Sequence, residues 1–262
     1  MTRYFNLYGY FLVQRFKILM EYRVNFLIGA SSTILLQISG LLTIWVVMSQ
    51  IPSLNGWSLY QILLIYGMIT LAKSINHMFA DNLWTIGRQY IRSGAFDRFL
   101  VRPLDPLFHL LADRFCHDGI GNFLVGISLV IISMQRLNIP WSAANIFHLL
   151  LACLSGGAIF IALNLITGTS AFWLMDAVPV MRVVFDNHLF AQYPLNIYPK
   201  AIGILLTWVI PYGFASFYPA SQLMGLPAGR LAWIGPIVAV VLLLMGYRVW
   251  LIGLRHYAGT GS

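Results

Sequence analysis

His109, Asp113 and His117 recur at intervals of four, and His77 with Asp81 repeats that interval earlier in the chain. Residues four apart share one face of a helix, so each set presents imidazole and carboxylate groups together. Two nitrogen ligands with one or two oxygens are a donor set that can hold a metal ion. The plainer reading is a row of polar heads at a membrane surface, hydrogen-bonded to each other and to loop carbonyls, and on that reading we assign no metal ligand and no catalytic residue. Lys73 stands apart because it interrupts an apolar run. An ammonium inside a bilayer span costs about 2.5–3.5 kcal/mol at the helix centre unless it faces a cavity or a partner, or snorkels to the interface. Lys73 and Asn76, with Asn164 and Thr167 from a later apolar run, are therefore the candidates for a polar route. Against that stands the habit of Ser and Thr in buried spans of bonding the carbonyl four residues back or a neighbouring helix.

The elements that must position these groups are set by composition. The chain of 262 residues is 59% hydrophobic and only 9% charged, whereas soluble domains carry about 25% charged residues. Several apolar runs approach the roughly 20 residues needed to cross a bilayer. The excess of eight positive charges concentrates in particular connections, which marks cytoplasmic loops and not a nucleic-acid surface. Cys116 and Cys153 have no second pair nearby, so neither a disulfide framework nor a zinc knuckle is indicated. No Gly-x-x-x-x-Gly-Lys-Ser/Thr phosphate loop occurs, so any ATP must be used by a partner. Gly-x-Ser-x-Gly and His-Glu-x-x-His are absent as well.

Taken in order, residues 1–23 carry a polar stripe of Arg3, Asn6, Tyr10, Gln14, Lys17 and Glu21, which predicts an interfacial helix lying on the membrane. Its scattered charges do not resemble a cleavable signal peptide, so the first span is expected to serve as the signal. Six spans are expected within a single transmembrane domain over 1–262: 24–48, 59–80, 119–134, 145–175, 201–217 and 231–250. The connections 50–58 and 136–143 and the region 219–230 are placed outside, and the arginine-rich connection 81–118 and both chain ends inside. Residues 176–200 contain Pro179, Pro194 and Pro199, which argue against one continuous helix, and are expected at the inner membrane surface. Residues 211–227 are too broken for a crossing and predict a re-entrant hairpin involving Pro211, Tyr212, Phe214, Phe217, Tyr218 and Pro219.

The most unusual stretch is 93–107, Ser-Gly-Ala-Phe-Asp-Arg-Phe-Leu-Val-Arg-Pro-Leu-Asp-Pro-Leu. Ser93 can cap a short helix, bounded by Gly94 and Pro103, with Phe96, Phe99 and Leu100 on one face and Asp97, Arg98 and Arg102 elsewhere. Asp105 and Pro106 then open a new helix. This stretch resembles the cytosolic loop of ABC-2 type exporter permeases. Tyr-Pro-Leu-Asn-Ile-Tyr-Pro at 193–199, Ile-Pro-Tyr-Gly-Phe-Ala-Ser-Phe-Tyr-Pro-Ala at 210–220 and Gly-Leu-Arg-His-Tyr-Ala-Gly-Thr-Gly-Ser at 253–262 are similar to marks of the same family, in the same order.

The resemblance implies an all-α membrane protein of six transmembrane helices with an N-terminal interfacial helix, a cytosolic coupling helix and a re-entrant hairpin between spans five and six. It also implies a second permease copy or a related permease, and separate ATPase subunits that use the ATP and Mg. Phe96, Phe99 and Leu100 would then fill an apolar notch on the ATPase while Asp97, Arg98 and Arg102 fix register. The setting it implies is a bacterial-type cytoplasmic membrane with its lipids. The competing readings are a membrane enzyme built on the His and Asp cluster and an ion-driven secondary transporter; the latter usually shows repeated halves and buried acids, and neither is evident.

Overall fold

The computed structural model describes Leu7, Gly9, Tyr10, Phe11, Val13, Gln14, Lys17, Glu21 and residues 23–257 other than 117, 118 and 175. Most of the interfacial helix expected over 1–23 thus lies outside the described residues, as does His117; those described before residue 23 are helical. Phe11 reaches the ring of His109 at 6.2 Å.

Among the described residues five helices are long and apolar enough to cross a membrane, and a sixth candidate is a bent pair. The first is α1 (Arg23–Gln50), followed by α2 (Leu59–Ala80). The backbone of Ser58, at the start of α2, donates to the Gln61 side chain at 2.9 Å, satisfying one of the donors a helix start leaves open. From Asp81 the chain tightens into a 3-10 turn to Thr85 and then widens into a π-helical stretch, Ile86–Ile91. Two short helices follow, α3 (Asp97–Leu100) and α4 (Pro106–Ala112). Then come α5 (Gly119–Arg136) and α6 (Ala143–Gly168), the latter capped by Ser142, and the single turn α7 (Ala171–Leu174).

α2 is the centre of the bundle. Glycines let its neighbours approach. A methyl group built on Gly126 of α5 would lie 2.9 Å from the backbone nitrogen of Leu71, and one on Gly157 of α6 would lie 2.7 Å from the Ile75 side chain. Without a hydrophobic driving force between helices in lipid, such close backbone approach is what gives dispersion its reach. In the most apolar 18-residue window of each helix, 67% of the α2 residues are buried but only 11% of those in α1. α1 therefore needs lipid or another subunit on most of its surface.

One expectation is overturned. Residues 176–200 do not lie along one surface. The helix α8 (Val178–Phe185) packs at the arginine-rich end, where the Phe185 ring meets Trp84 at 5.2 Å. The 3-10 stretches Asp186–Gln192 and Leu195–Ile197 continue to the opposite end, where the Asn196 side chain accepts from the Trp57 indole at 2.9 Å. The segment thus runs the length of α2. Its prolines are accommodated at joints: Pro179 falls in the first turn of α8, where its missing N–H removes no helical bond, and Pro194 and Pro199 immediately precede the next elements.

The piece expected as a fifth span over 201–217, interrupted by Pro211, is broken there. α9 (Lys200–Ile204) and a π-helical stretch Leu205–Val209 end at Ile210 and Pro211. The chain bends there by 76° into a 3-10 turn (Tyr212–Ala215) and α10 (Phe217–Leu223). A 3-10 stretch, Pro227–Ile234, leads into α11 (Gly235–His256). Two apolar cores result: one fills the bundle, and a smaller one fills a lobe at the arginine-rich end.

Candidate functional site

The lobe contains the 93–107 stretch. Its entry is a reversal at Gly94, whose φ of +71° suits a residue without a Cβ, and the Phe96 N–H returns to the Tyr90 carbonyl at 2.9 Å. Ser93 does not cap the next helix; its hydroxyl donates back to the Gln89 carbonyl at 2.6 Å. α3 is only four residues long and ends before Pro103. Asp105 behaves as expected, accepting from the Phe108 N–H at 2.8 Å with Pro106 in the first turn.

Phe96 and Phe99 do not face outward. Both are 0% exposed. The Phe96 ring meets Phe172 at 5.3 Å, Trp250 at 6.1 Å and Tyr257 at 4.9 Å, each edge-on, as the ring quadrupoles prefer. Phe99 stacks edge-on to His109 at 4.8 Å. Phe96 is thus spent on the chain's own last helix and Phe99 on the lobe interior, which corrects the expectation that these two rings fill a notch on a partner. The outward residues are Leu100, 44% exposed, and Val101, 81% exposed, beside Arg102 and Pro103.

Charges fasten the lobe. Arg98 pairs with Asp113 at 2.8 Å and lies over the Phe99 ring, while the Tyr257 hydroxyl donates to Asp97 at 2.8 Å. That bond, after burial, pushes the Tyr257 hydroxyl up to about 12. Arg102 donates to His109 Nε2 at 3.1 Å, which leaves the ring proton on Nδ1. Burial, and next the Arg102 guanidinium, hold His109 below the ordinary imidazole value. A group depressed in this way contributes fully above the unfolded value of about 6.5 and loses that contribution as pH falls from there toward its folded value. His109 and Asp113 each have an arginine partner and do not converge on an ion site.

A groove of about 410 Å³ opens on the bundle's flank between α1, α2, α5 and α8. Lys73 and Asn76 line it, with Gln37, His77, Asp81, Asn122, Arg182 and Asp186. Among the described residues no carboxylate comes within ion-pair distance of Lys73. Asn164 and Thr167 do not line the groove. Asn164 is buried behind it, donating to Asn76 at 3.0 Å, and the Thr167 hydroxyl returns to the Leu163 carbonyl at 2.8 Å. Sequence reasoning missed the polar chain across three helices: the Tyr66 hydroxyl to Gln37 at 2.6 Å, Gln37 to Asn122 at 2.6 Å, and Asn122 to His77 at 3.2 Å. Spacing along one helix gives no sign of partners on another. Replacing Asn164 by Leu should cost about 1–2 kcal/mol in thermal unfolding in detergent, because it strands the Asn76 amide, while Thr167→Val should cost far less.

At the opposite end the broken hairpin is pinned by its quoted residues. Tyr212 lies 4.4 Å from the Phe160 ring, Phe214 4.9 Å from Tyr218, and Phe217 5.9 Å from Trp57. The Tyr218 and Thr207 hydroxyls share a bond of 2.7 Å, and the Pro219 carbonyl accepts from His148 at 3.2 Å. Backbone this irregular survives at membrane depth only under a protein cover, and here the cover is α2, α6 and residues 185–197. A cavity of about 870 Å³ lies beside it, walled by Trp57, Tyr198, Trp208 and Leu226 with Lys200 at its edge.

A family model described as ABC-2 family transporter protein matches residues 34–261. Searches of curated proteins and of solved structures return no match. The matched interval takes in the lobe, the groove and the broken hairpin alike, so this multi-pass membrane chain belongs to the ABC-2 transporter family and is the membrane-spanning permease of such a transporter.

Proposed function

We propose that this permease transmits the work of a separate ATP-hydrolysing subunit to an export pathway, and that the ATPase docks on the lip formed by Leu100, Val101, Arg102 and Pro103. The observation that supports this most is the division of labour within α3. Phe96 roots the helix against Trp250 of α11 and Phe99 against His109, while the next residues, Leu100 and Val101, are left apolar and uncovered. A push on the lip therefore travels to the last long helix as a rigid displacement. Gly94 supplies the reversal that presents it. Asp97 and Arg98 act as braces within the chain; Arg102, which also holds His109 but lies exposed on the lip and has no carboxylate partner among the described residues, is the charge that steers approach.

On this reading there are six crossings, with residues 178–198 as the fifth and residues 200–223 as the re-entrant hairpin between the last two. The arginine-rich end, with both chain termini, is cytosolic. The groove holding Lys73 and Asn76 is half of a pathway closed by a second permease, identical or related, in a bacterial-type plasma membrane. ATP and Mg are bound by the ATPase alone.

The test is co-purification of the cognate ATPase with Val101→Asp, Leu100→Asp and Arg102→Ala permeases of equal abundance. Burying a charge in an apolar contact is expected to lower ATPase recovery by tenfold or more with Val101→Asp, and about that much with Leu100→Asp, while Arg102→Ala lowers it less. Full recovery with both aspartates would move the docking surface elsewhere on the lobe.

A further inference from the structure

His77, Asp81 and Cys116 each bring a ligand atom to one place. A ring nitrogen of His77, an Asp81 oxygen and the Cys116 sulfur all lie within 4.8 Å of one another, and His77 Nε2 is 3.8 Å from an Asp81 oxygen. The geometry points to a divalent transition-metal site, best suited to Zn²⁺, at the arginine-rich mouth of the groove.

Three facts carry this. First, the elements fix the ligands. His77 and Asp81 are one turn apart at the end of α2, and Cys116 is held beside them by its own backbone N–H, which donates to the Met78 carbonyl at 3.1 Å. Zinc sits about 2.0–2.3 Å from such ligands, which places tetrahedral ligand atoms roughly 3.4–3.8 Å apart, so the set must contract by about 1.4 Å at most. Secondly, the donor set is chemically selective. An imidazole, a carboxylate and a thiolate suit zinc, and the thiolate disfavours magnesium and calcium. When the Cys116 thiol gives up its proton, one thiolate and one carboxylate balance a 2+ ion, leaving no net charge at the edge of the bilayer.

Thirdly, His77 has an outer partner on the far side of its ring. Asn122 meets His77 Nδ1 at 3.2 Å, and Gln37 and Tyr66 continue the chain inward. Side-chain amides can face either way. Turned one way, the Asn122 NH₂ donates to Nδ1. Turned the other way, Nδ1–H donates to the Asn122 oxygen, the Asn122 NH₂ to Gln37, and the Gln37 NH₂ to Tyr66, whose hydroxyl can also accept. The second arrangement frees the Nε2 lone pair for a metal and orients the ring, which is the work of an outer-sphere partner.

The probe is Co²⁺, added to the purified full chain in detergent after removal of any affinity tag and chelation of adventitious metal. The expected result is one equivalent bound, with a near-ultraviolet sulfur-to-cobalt charge-transfer band that Zn²⁺ bleaches by displacement. Cys116→Ser should abolish that band. Asn122→Ala should keep the band at saturation but weaken apparent affinity about 10–100-fold. Because Cys116 is buried and its replacement by Ser can disturb packing, X-ray absorption of the zinc-loaded unmodified chain gives an independent reading, in which one sulfur among lighter ligands is expected. A cobalt titration with no sulfur band, a band that survives Cys116→Ser, or a zinc shell without sulfur each overturns the site. None of these readouts involves the ATPase, so the site stands or falls independently of the docking proposal.

Discussion

Phe96→Ala is expected to collapse the lobe and not merely to loosen a partner. Truncating a fully buried aromatic ring costs about 3–5 kcal/mol, through lost transfer energy and the cavity left behind. At Phe96 that cavity would open among Phe99, Phe172, Trp250 and Tyr257, joining α3 to the far end of α11. The measurable outcome is a lower thermal midpoint in detergent and reduced permease abundance in membranes, with or without the ATPase present. Val101→Asp should do the opposite, sparing stability and removing association, since its side chain already lies in the open. A Phe96→Ala chain of normal stability would mean that the lobe core does not depend on this ring.

The second large effect is expected from Gly126→Leu. The two neighbouring helices approach so closely there that even a methyl group would press on the Leu71 backbone, and Gly67 of α2 faces the carbonyl of Gly126 itself. A backbone clash cannot be relieved by rotating a side chain, so α5 must move off α2 along its length. Overpacking of this kind costs about 1–3 kcal/mol in ordinary cores and more where backbone must shift. Size-exclusion profiles in detergent should show aggregated or polydisperse material, whereas Gly203→Leu, which meets nothing within 4 Å, should elute like the unmodified chain. Equal behaviour of the two variants would show that α2 and α5 can separate without consequence.

Much of the architecture was legible because membrane helices advertise themselves by composition. The run 59–80 needed only its apolar length to be recognised, and the helix occupies that interval. Asp105 with Pro106 was readable for a similar reason, since capping is local chemistry. The segment 176–200 was not legible. Arg182, Asp186, Asn187 and His188 dilute its hydropathy, and the prolines read as breaks, yet the segment is sheltered by α2 and α6, so it does not need the apolar surface all round that a lipid-facing helix needs. Phe96 and Phe99 were assigned to the right helix but the wrong neighbour. Periodicity shows that an apolar face exists, and not which surface covers it; Trp250 lies more than a hundred positions away. The groove was half legible. Lys73 is conspicuous in any reading, but its setting depends on Gln37, Asn122 and Arg182, which only the fold assembles.

The 3-10 stretch Asp186–Gln192 has a mechanical meaning. A 3-10 coil rises about 2.0 Å per residue and an α-helix 1.5 Å, so rewinding those seven residues would shorten the strut by roughly 3–4 Å without unfolding it. The energy difference per residue between the two windings is small compared with breaking side-chain contacts. Where the long helices act as stiff rods, this segment behaves as a spring of fixed anchorage, held at one end against Trp84 and at the other by Trp57. If the lobe is driven as proposed, strain arriving from it would have somewhere to be stored before the broken hairpin had to yield.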